Sequence, residues 1–153
     1  MSLIIASGSN IGDSLKFLDQ ARIILCQQYD LVAASRVYRS AAVDYTDQPD
    51  FFNQVLEFRL PEVNPLDVMN NLLQIEESLG RKRDLWRGPR TIDLDIIFWG
   101  LTRLESEPLI IPHPRWAERS FVVRPLEELP FFQTIKKCFT IPESFKVEAK
   151  PIN

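Results

Sequence analysis

Two aspartates, Asp93 and Asp95, stand inside an otherwise apolar run, Ile92-Asp93-Leu94-Asp95-Ile96. Aspartate is disfavoured in strands, so two of them in a run of strand character need a reason. Side chains alternate along a strand, which places Ile92, Leu94 and Ile96 on one face and both aspartates on the other. Their β-carbons then lie on the order of 7 Å apart. Paired carboxylates repel unless positive charge sits between them. A hard cation such as Mg²⁺ supplies that charge through oxygen ligands and keeps sites for water and phosphate. The same pattern also fits two solvated aspartates on an exposed sheet face.

Just upstream, Arg81, Lys82, Arg83, Arg87 and Arg90 are opposed only by Asp84, and Arg115 and Arg119 follow near His113. In a chain of net charge −3 this is a local reversal of sign. Guanidinium groups match phosphate oxygens in bidentate fashion. Taken alone, the run is equally a solvated basic loop. Beside a carboxylate pair it matches the needs of a metal–triphosphate complex, in which acids hold the metal and arginines hold the remaining oxygens. His113, the only histidine, lies between Pro112 and Pro114, which stiffen its backbone. It is either a surface histidine or a phosphate-site residue. In the second case it donates an N–H when neutral, or assists a leaving group when charged.

The elements that must position these groups alternate early in the chain. Leu3 to Ala6 reads as a buried strand. Gly8 to Gly12 reads as a tight strand-to-helix turn rather than a dinucleotide fingerprint. Ser9, Asn10 and Asp13 offer capping chemistry for a helix over 13–28. Leu31 to Tyr38 resembles a second strand, and 40–49 a loop of functional length. Phe52 to Leu60 alternates, with Asn53, Val55, Glu57 and Arg59 on one face. Asn64-Pro65 starts a helix that Gly80 stops. Ile92 to Trp99 is the strand that carries the acids, and Phe121 to Val123 reads as a further strand. Leu126 to Leu129 reads as a short helical turn, and the tail from Thr134 is weakly patterned. This order predicts an α+β sandwich with helices packed on a mainly antiparallel sheet.

A chain of 153 residues suits one domain over 1–153. Its acidic balance argues against a nucleic-acid partner. There is no GxxxxGK[ST] segment, which excludes a P-loop enzyme. Cys26 and Cys138 form no CxxC pair and read as reduced thiols. The first apolar run is too short for a signal peptide or a membrane span, so the expected location is the cytoplasm, without a membrane partner.

Five segments then occur in a telling order. They are Gly8-Ser9-Asn10-Ile11-Gly12-Asp13, Asp47-Gln48-Pro49-Asp50-Phe51-Phe52-Asn53, Gly80-Arg81-Lys82-Arg83, Gly88-Pro89-Arg90-Thr91-Ile92-Asp93-Leu94-Asp95-Ile96, and Pro112-His113-Pro114 with Arg119-Ser120-Phe121. Over about residues 3–130 the chain resembles the hydroxymethyldihydropterin pyrophosphokinase family of folate biosynthesis. The resemblance implies a ferredoxin-like αβα sandwich acting as a monomer. It also implies transfer of the β,γ-diphosphate of ATP to the hydroxymethyl group of a dihydropterin, with AMP as the other product. It makes Asp93 and Asp95 the ligands of two Mg²⁺ ions, and Arg81 and Arg90 the catalytic partners of the triphosphate. Glu76, Arg83, Ile96, His113 and Arg119 fall at ATP-site positions. Asn53 and Phe121 fall in the pterin pocket, with Ser40, Ala41, Val43 and Phe51 lining it. A flat pterin rich in donors and acceptors suits an aromatic face with amide partners.

Two departures stand out. The family has Arg-Trp before Gly-Pro-Arg, whereas this chain has Trp86-Arg87. Either Arg87 stacks on the pterin in place of the tryptophan, or the loop is re-routed so that Trp86 reaches the site. Ala41-Ala42-Val43-Asp44 also replaces a proline- and glycine-bearing loop, which leaves it less pre-set. Besides an active pyrophosphokinase, the sequence allows a diverged paralogue that binds ATP or a modified pterin with weak catalysis. It also allows another Mg-dependent nucleotidyl transferase using the same acids. The loop changes predict weaker pterin affinity than in a typical member, or a modified pterin substrate. Isothermal titration with hydroxymethylpterin and a non-hydrolysable ATP analogue checks this, and ordinary tight binding counts against it.

Overall fold

The computed structural model describes residues 1–42, 47–80 and 91–153. Along the chain run β1 (Ser2–Ser9), α1 (Ser14–Gln28), β2 (Leu31–Ala34), β3 (Tyr38–Ser40), β4 (Phe51–Arg59) and α2 (Pro65–Ser78). They are followed by β5 (Asp93–Trp99), β6 (Leu104–Ser106), β7 (Leu109–Ile111), a 3-10 turn at Trp116–Glu118, α3 (Ser120–Leu126), α4 (Phe132–Cys138) and β8 (Lys150–Pro151). The main sheet has the order β5-β1-β4-β3-β8, with β2 also on β4. Every pairing in it is antiparallel. The β1-α1-β2/β3-β4-α2-β5 order with β1 and β4 central is the ferredoxin-like arrangement. The expected α+β sandwich is therefore what forms.

Leu3, Ile4 and Ile5 are buried in succession because β1 is covered on both faces. One face packs with α1 and α2 through Leu18, Ala21, Leu25, Val68, Leu72 and Ile75. The other packs with α3 and α4 through Val122, Val123, Leu126, Phe132 and Ile135. A fully buried leucine contributes on the order of 2 kcal/mol, so each layer is held by its apolar stripe. Asp13 caps α1 by accepting from Lys16 N–H at 3.2 Å, and Asn64 caps α2 by accepting from Leu66 N–H at 2.9 Å. Gly80, at φ 88°, closes α2 in the left-handed region expected of a helix stop. β5 carries a bulge: Ile5 pairs with Ile96 and Ile4 with Phe98, so Ile97 is the extra residue and lies on the same face as Phe98.

Several expectations are corrected. Gly8 lies within β1 rather than in the turn, which is made by Gly12 at φ 71°. The strand expected over 31–38 is two short strands separated at 35–37. Phe121 to Val123 is helical, not a strand. Two adjacent valines look strand-like, but Val122, Val123, Leu126 and Leu129 recur at helical spacing and are all buried against the second face. The later chain is accordingly richer in helix than in strand, apart from the β6–β7 ribbon. The tail after Thr134 is ordered on the molecule, with Ile135 buried and Phe139, Ile141 and Phe145 packed against that face.

One polar tie fastens this layer to the sheet. The Tyr38 hydroxyl donates to Glu128 Oε2, while Arg36 N–H donates to Glu128 Oε1 at 2.9 Å. Burial, and then the bond to Glu128, push the Tyr38 phenol up to about 12. The unfolded chain starts to lose this proton near its ordinary value of 10.0, whereas the folded chain keeps it to about 12. Stability contributed by the neutral phenol is thus complete below pH 10.0 and falls as pH rises toward 12. Alkaline titration at 295 nm should show a late step near pH 12 that Tyr38→Phe removes.

Candidate active site

Strand register builds the site. Gly8 of β1 pairs with Asp93 of β5 on one side and with Asn53 of β4 on the other. One dyad along, Ala6 pairs with Asp95 and Val55. Residues two apart share a face, so β1 offers only a hydrogen and a methyl here. The result is a trough with carboxylates on one wall and an amide on the other. A β-carbon on Gly8 would lie 2.5 Å from Asn53 Oδ1, so only glycine lets that side chain cross.

Above the trough lies a cavity of about 400 Å³, a volume suited to a small organic ligand. Asp93, Asp95, Asn53, Phe51, Phe121 and Ala41 line it, together with His113, Arg115, Arg119 and Gln48. Asn53 is buried and its Nδ2 donor has no partner among the described residues. Buried amide donors are normally satisfied, and a polar ligand would complete this one. The Arg119 guanidinium lies 5.6 Å from the centroid of the Phe121 ring, a cation–π contact.

A second cavity of about 340 Å³ lies along the outer edge of β5, lined by Leu72, Glu76, Leu94, Ile96 and Pro108 to Ile110. The two cavities share Asp93, Asp95, His113 and Pro114. Glu76 is buried at the α2 end and accepts Leu94 N–H at 2.7 Å. Among the described residues β5 pairs on one side only, with β1. Glu76 therefore satisfies an edge donor between the two aspartates and fixes the strand that bears them.

His113 is pinned by its own main chain, whose N–H donates to Ile97 O at 3.0 Å while its carbonyl accepts from Trp116 N–H at 3.1 Å. Its Nδ1 accepts Arg115 N–H at 3.2 Å. In the neutral ring the proton then sits on Nε2. Burial lowers its pKa to about 4, aided by the Arg119 and Arg115 charges and opposed by Asp93. Of the two forms considered for His113, the neutral donor is the one this environment favours.

The sequence-predicted residues thus fall into four groups. Ala41, Phe51, Asn53, Asp93, Asp95, His113, Arg119 and Phe121 meet at the first cavity, while Glu76 and Ile96 join Asp93, Asp95 and His113 at the second. Ser40 is buried beside the first cavity without lining it, and its hydroxyl has no partner among the described residues. Val43, Arg81, Arg83, Trp86, Arg87 and Arg90 lie outside the described residues. Arg115, noted in the sequence beside His113, joins the first lining, whereas sequence reasoning missed Gly8 and Ala6 as the floor, Gln48 in the lining, and the β6–β7 ribbon in the second wall. The small–small spacing of Ala6 and Gly8 opposite the acids was the available signal. For Gln48 it was Asn10, whose amide donates to Gln48 Oε1 at 2.7 Å and to Pro49 O at 3.2 Å, drawing this loop onto the sheet end.

Two ligand-sized cavities that meet at acidic residues, with cations nearby, suit a transferase joining two small substrates. A family model for 7,8-dihydro-6-hydroxymethylpterin-pyrophosphokinase matches residues 4–130. The 2-amino-4-hydroxy-6-hydroxymethyldihydropteridine pyrophosphokinase of Bacillus subtilis is 42% identical over 142 residues, covering 92% of this chain and 83% of that protein. The protein of the same name from Synechocystis sp. is 39% identical over 129 residues, covering 82% of this chain and 65% of its own. A mitochondrial folate synthesis bifunctional protein of Arabidopsis thaliana is 40% identical over 128 residues, of which 83% of this chain matches 23% of that one. The chain belongs to the 7,8-dihydro-6-hydroxymethylpterin-pyrophosphokinase family.

Gly8→Ala should force Asn53 out of the trough. Overpacking of this kind costs about 1–3 kcal/mol. Thermal unfolding should show the loss, and titration with a pterin should show weaker binding than in the parent.

Proposed function

We propose that the two cavities hold the two substrates of one diphosphoryl transfer, the pterin in the first and the nucleotide in the second, with the reacting phosphates at their shared wall. The chain is an ATP-dependent pterin pyrophosphokinase of folate synthesis. It moves diphosphate from ATP to 6-hydroxymethyl-7,8-dihydropterin, giving AMP and the pterin diphosphate. The observation that carries the placement is the seam itself: Asp93, Asp95 and His113 border both cavities.

In the first cavity, Asn53 offers its buried amide to the pterin's polar edge, and Phe121 and Phe51 offer apolar faces to its ring. At the seam, His113 donates Nε2–H to a phosphate oxygen, and Arg119 and Arg115 add positive charge. On the family resemblance, Arg81, Arg83 and Arg90 add further guanidinium groups to the triphosphate, and Trp86 or Arg87 covers the pterin. In the second cavity, Ile96 and Leu72 contact the nucleotide base, while Glu76 holds β5 in register. No protein base is required at the hydroxyl; alignment of the attacking oxygen with the phosphorus is what the two walls supply.

The donor set fits magnesium. Asp93 and Asp95 flank one wall and are both half-buried. Among the described residues no group of three or more His, Cys, Asp or Glu side chains forms a metal cage. Mg²⁺ is commonly held by one or two carboxylates with phosphates and water completing the octahedron. Two Mg²⁺ ions held by Asp93 and Asp95 would neutralise triphosphate charge and make the substrate hydroxyl more acidic. No helix among the described residues is long and apolar enough to cross a membrane. The reading is of one domain acting as a monomer in the cytoplasm.

An AMP-release assay tests it. AMP should appear only when the pterin alcohol is present, and release of free diphosphate instead would overturn the reading. Asp95→Ala should lower turnover by about a hundredfold or more while leaving the unfolding midpoint nearly unchanged. Unaltered turnover in that variant would remove the metal assignment.

A further inference from the structure

Residues 131–153 lie beyond the span matched by the family model, yet they are tied to both walls of the first cavity. On the α3 wall, the Ser120 hydroxyl is buried and used twice: it donates to Val147 O at 2.6 Å and accepts Ala149 N–H at 2.8 Å. Ser120 sits between Arg119 and Phe121, both of which line the cavity. One turn later, Arg124 grips the same tail. Its Nε and Nη2 donate to the two carboxylate oxygens of Glu148 at 3.2 and 3.0 Å, and Nη2 also donates to Glu143 O at 2.7 Å. Glu148 in turn accepts Phe145 N–H at 3.1 Å, which closes the segment on itself.

On the other wall, the tail becomes β8 and pairs with β3, Tyr38 opposite Pro151 and Arg39 opposite Lys150. Ile152 N–H donates to Val37 O at 3.0 Å. β3 runs directly into Ser40 and Ala41, at the start of the loop that borders the cavity. Residues 147–152 therefore bridge α3 and β3, the two elements that present Phe121 and Ala41. The bridge is polar and directional at the Ser120 end. Such bonds fix orientation more than they add stability, since a hydrogen bond's net contribution is small while its geometry is strict.

We infer that the tail is a positioning strap for the pterin site, and that Ser120 is a positioning residue which transmits the tail's placement to Phe121 and Arg119. The inference rests on the reading of Phe121 as a pterin contact. With the strap fastened, the ring of Phe121 and the start of the Ala41 loop are held at a set separation before ligand arrives. That lowers the ordering needed on binding. It also offsets the absence of proline from Ala41-Ala42-Val43-Asp44, since the loop's start is held from outside rather than by its own residues.

The test is steady-state kinetics on the full chain with Ser120→Ala, Glu148→Ala, the double variant and Phe121→Ala, with unfolding midpoints recorded for each. Glu148 lies outside the core and touches neither substrate cavity, so Glu148→Ala carries the test alone if Ser120→Ala does not fold. Misplacing a binding group by a fraction of an ångström has large kinetic consequences, so KM for the pterin should rise about five- to tenfold in Ser120→Ala and by a smaller factor in Glu148→Ala. KM for ATP should change by a smaller factor than KM for the pterin, because the strap reaches the triphosphate only through Arg119 and touches none of the residues lining the second cavity. The double variant should resemble Ser120→Ala rather than show the product of the two effects. A pterin KM unchanged in folded Ser120→Ala, or in Glu148→Ala where the former is unfolded, overturns the strap; so do multiplicative effects in the double variant. Phe121→Ala separates the two ideas. If it leaves the pterin KM unchanged, the pterin reading of the cavity has failed. If it raises KM while the strap variants do not, only the strap has failed.

Discussion

The site depends on the register of three antiparallel strands. Asp93, Gly8 and Asn53 form one row across β5, β1 and β4, and Asp95, Ala6 and Val55 form the next on the same face. A slip of one residue in either pairing would turn the acids or the amide to the opposite face. Register is held because both faces of β1 are buried: Leu3 and Ile5 point to the α1/α2 layer and Ile4 to the α3/α4 layer. The bulge at Ile97 adds a second constraint. It lets Asp93 and Asp95 keep their alternation at one end of β5 while Ile97 and Phe98 both serve the second core at the other.

Electrostatics follows from that placement. Asp93, Asp95, Arg115 and Arg119 all border one cavity, which brings charges of both signs together. Burial opposes an imidazolium at His113, and the Arg119 and Arg115 charges add to this against the pull of Asp93, so the ring stays neutral well below neutral pH. A neutral ring whose Nδ1 is occupied by Arg115 N–H presents a donor at Nε2. The residue is thus set up to donate a hydrogen bond, and the neighbouring arginines carry the positive charge.

Much of this was legible in the sequence because it is periodic. The strand over 92–99, the helix opened by Asn64-Pro65 and the alternation of Asn53 and Val55 with Leu56 and Phe58 all have signals that depend on a few neighbouring residues. Asp93 and Asp95 could be placed on a common face for the same reason. What escaped has a non-local cause. Gly8 looks like a turn glycine until Asn53, brought alongside by strand pairing, shows that its missing β-carbon matters. Phe121-Val122-Val123 looks like a strand until its partners on the second face reveal a helical stripe. Gln48 enters the lining only through contacts made across the fold.

The second core also explains why the C-terminal segment belongs to the working unit. Ile4, Val55, Ile97 and Phe98 project from the face of the sheet that carries the first cavity, and α4 with its flanks covers them through Phe131, Phe132, Ile135 and Phe139. Glu57 is buried in that face, and both of its oxygens are occupied: Ser2 Oγ donates at 2.8 Å and Phe131 N–H at 2.9 Å. A buried carboxylate left without such donors would be costly, so the segment after residue 130 supplies a partner that the sheet itself lacks. This apolar packing covers the part of the same face that the trough leaves free. The candidate site residues Asn53, Asp93 and Asp95 sit on β4 and β5, and the last part of the chain completes the core on the same face.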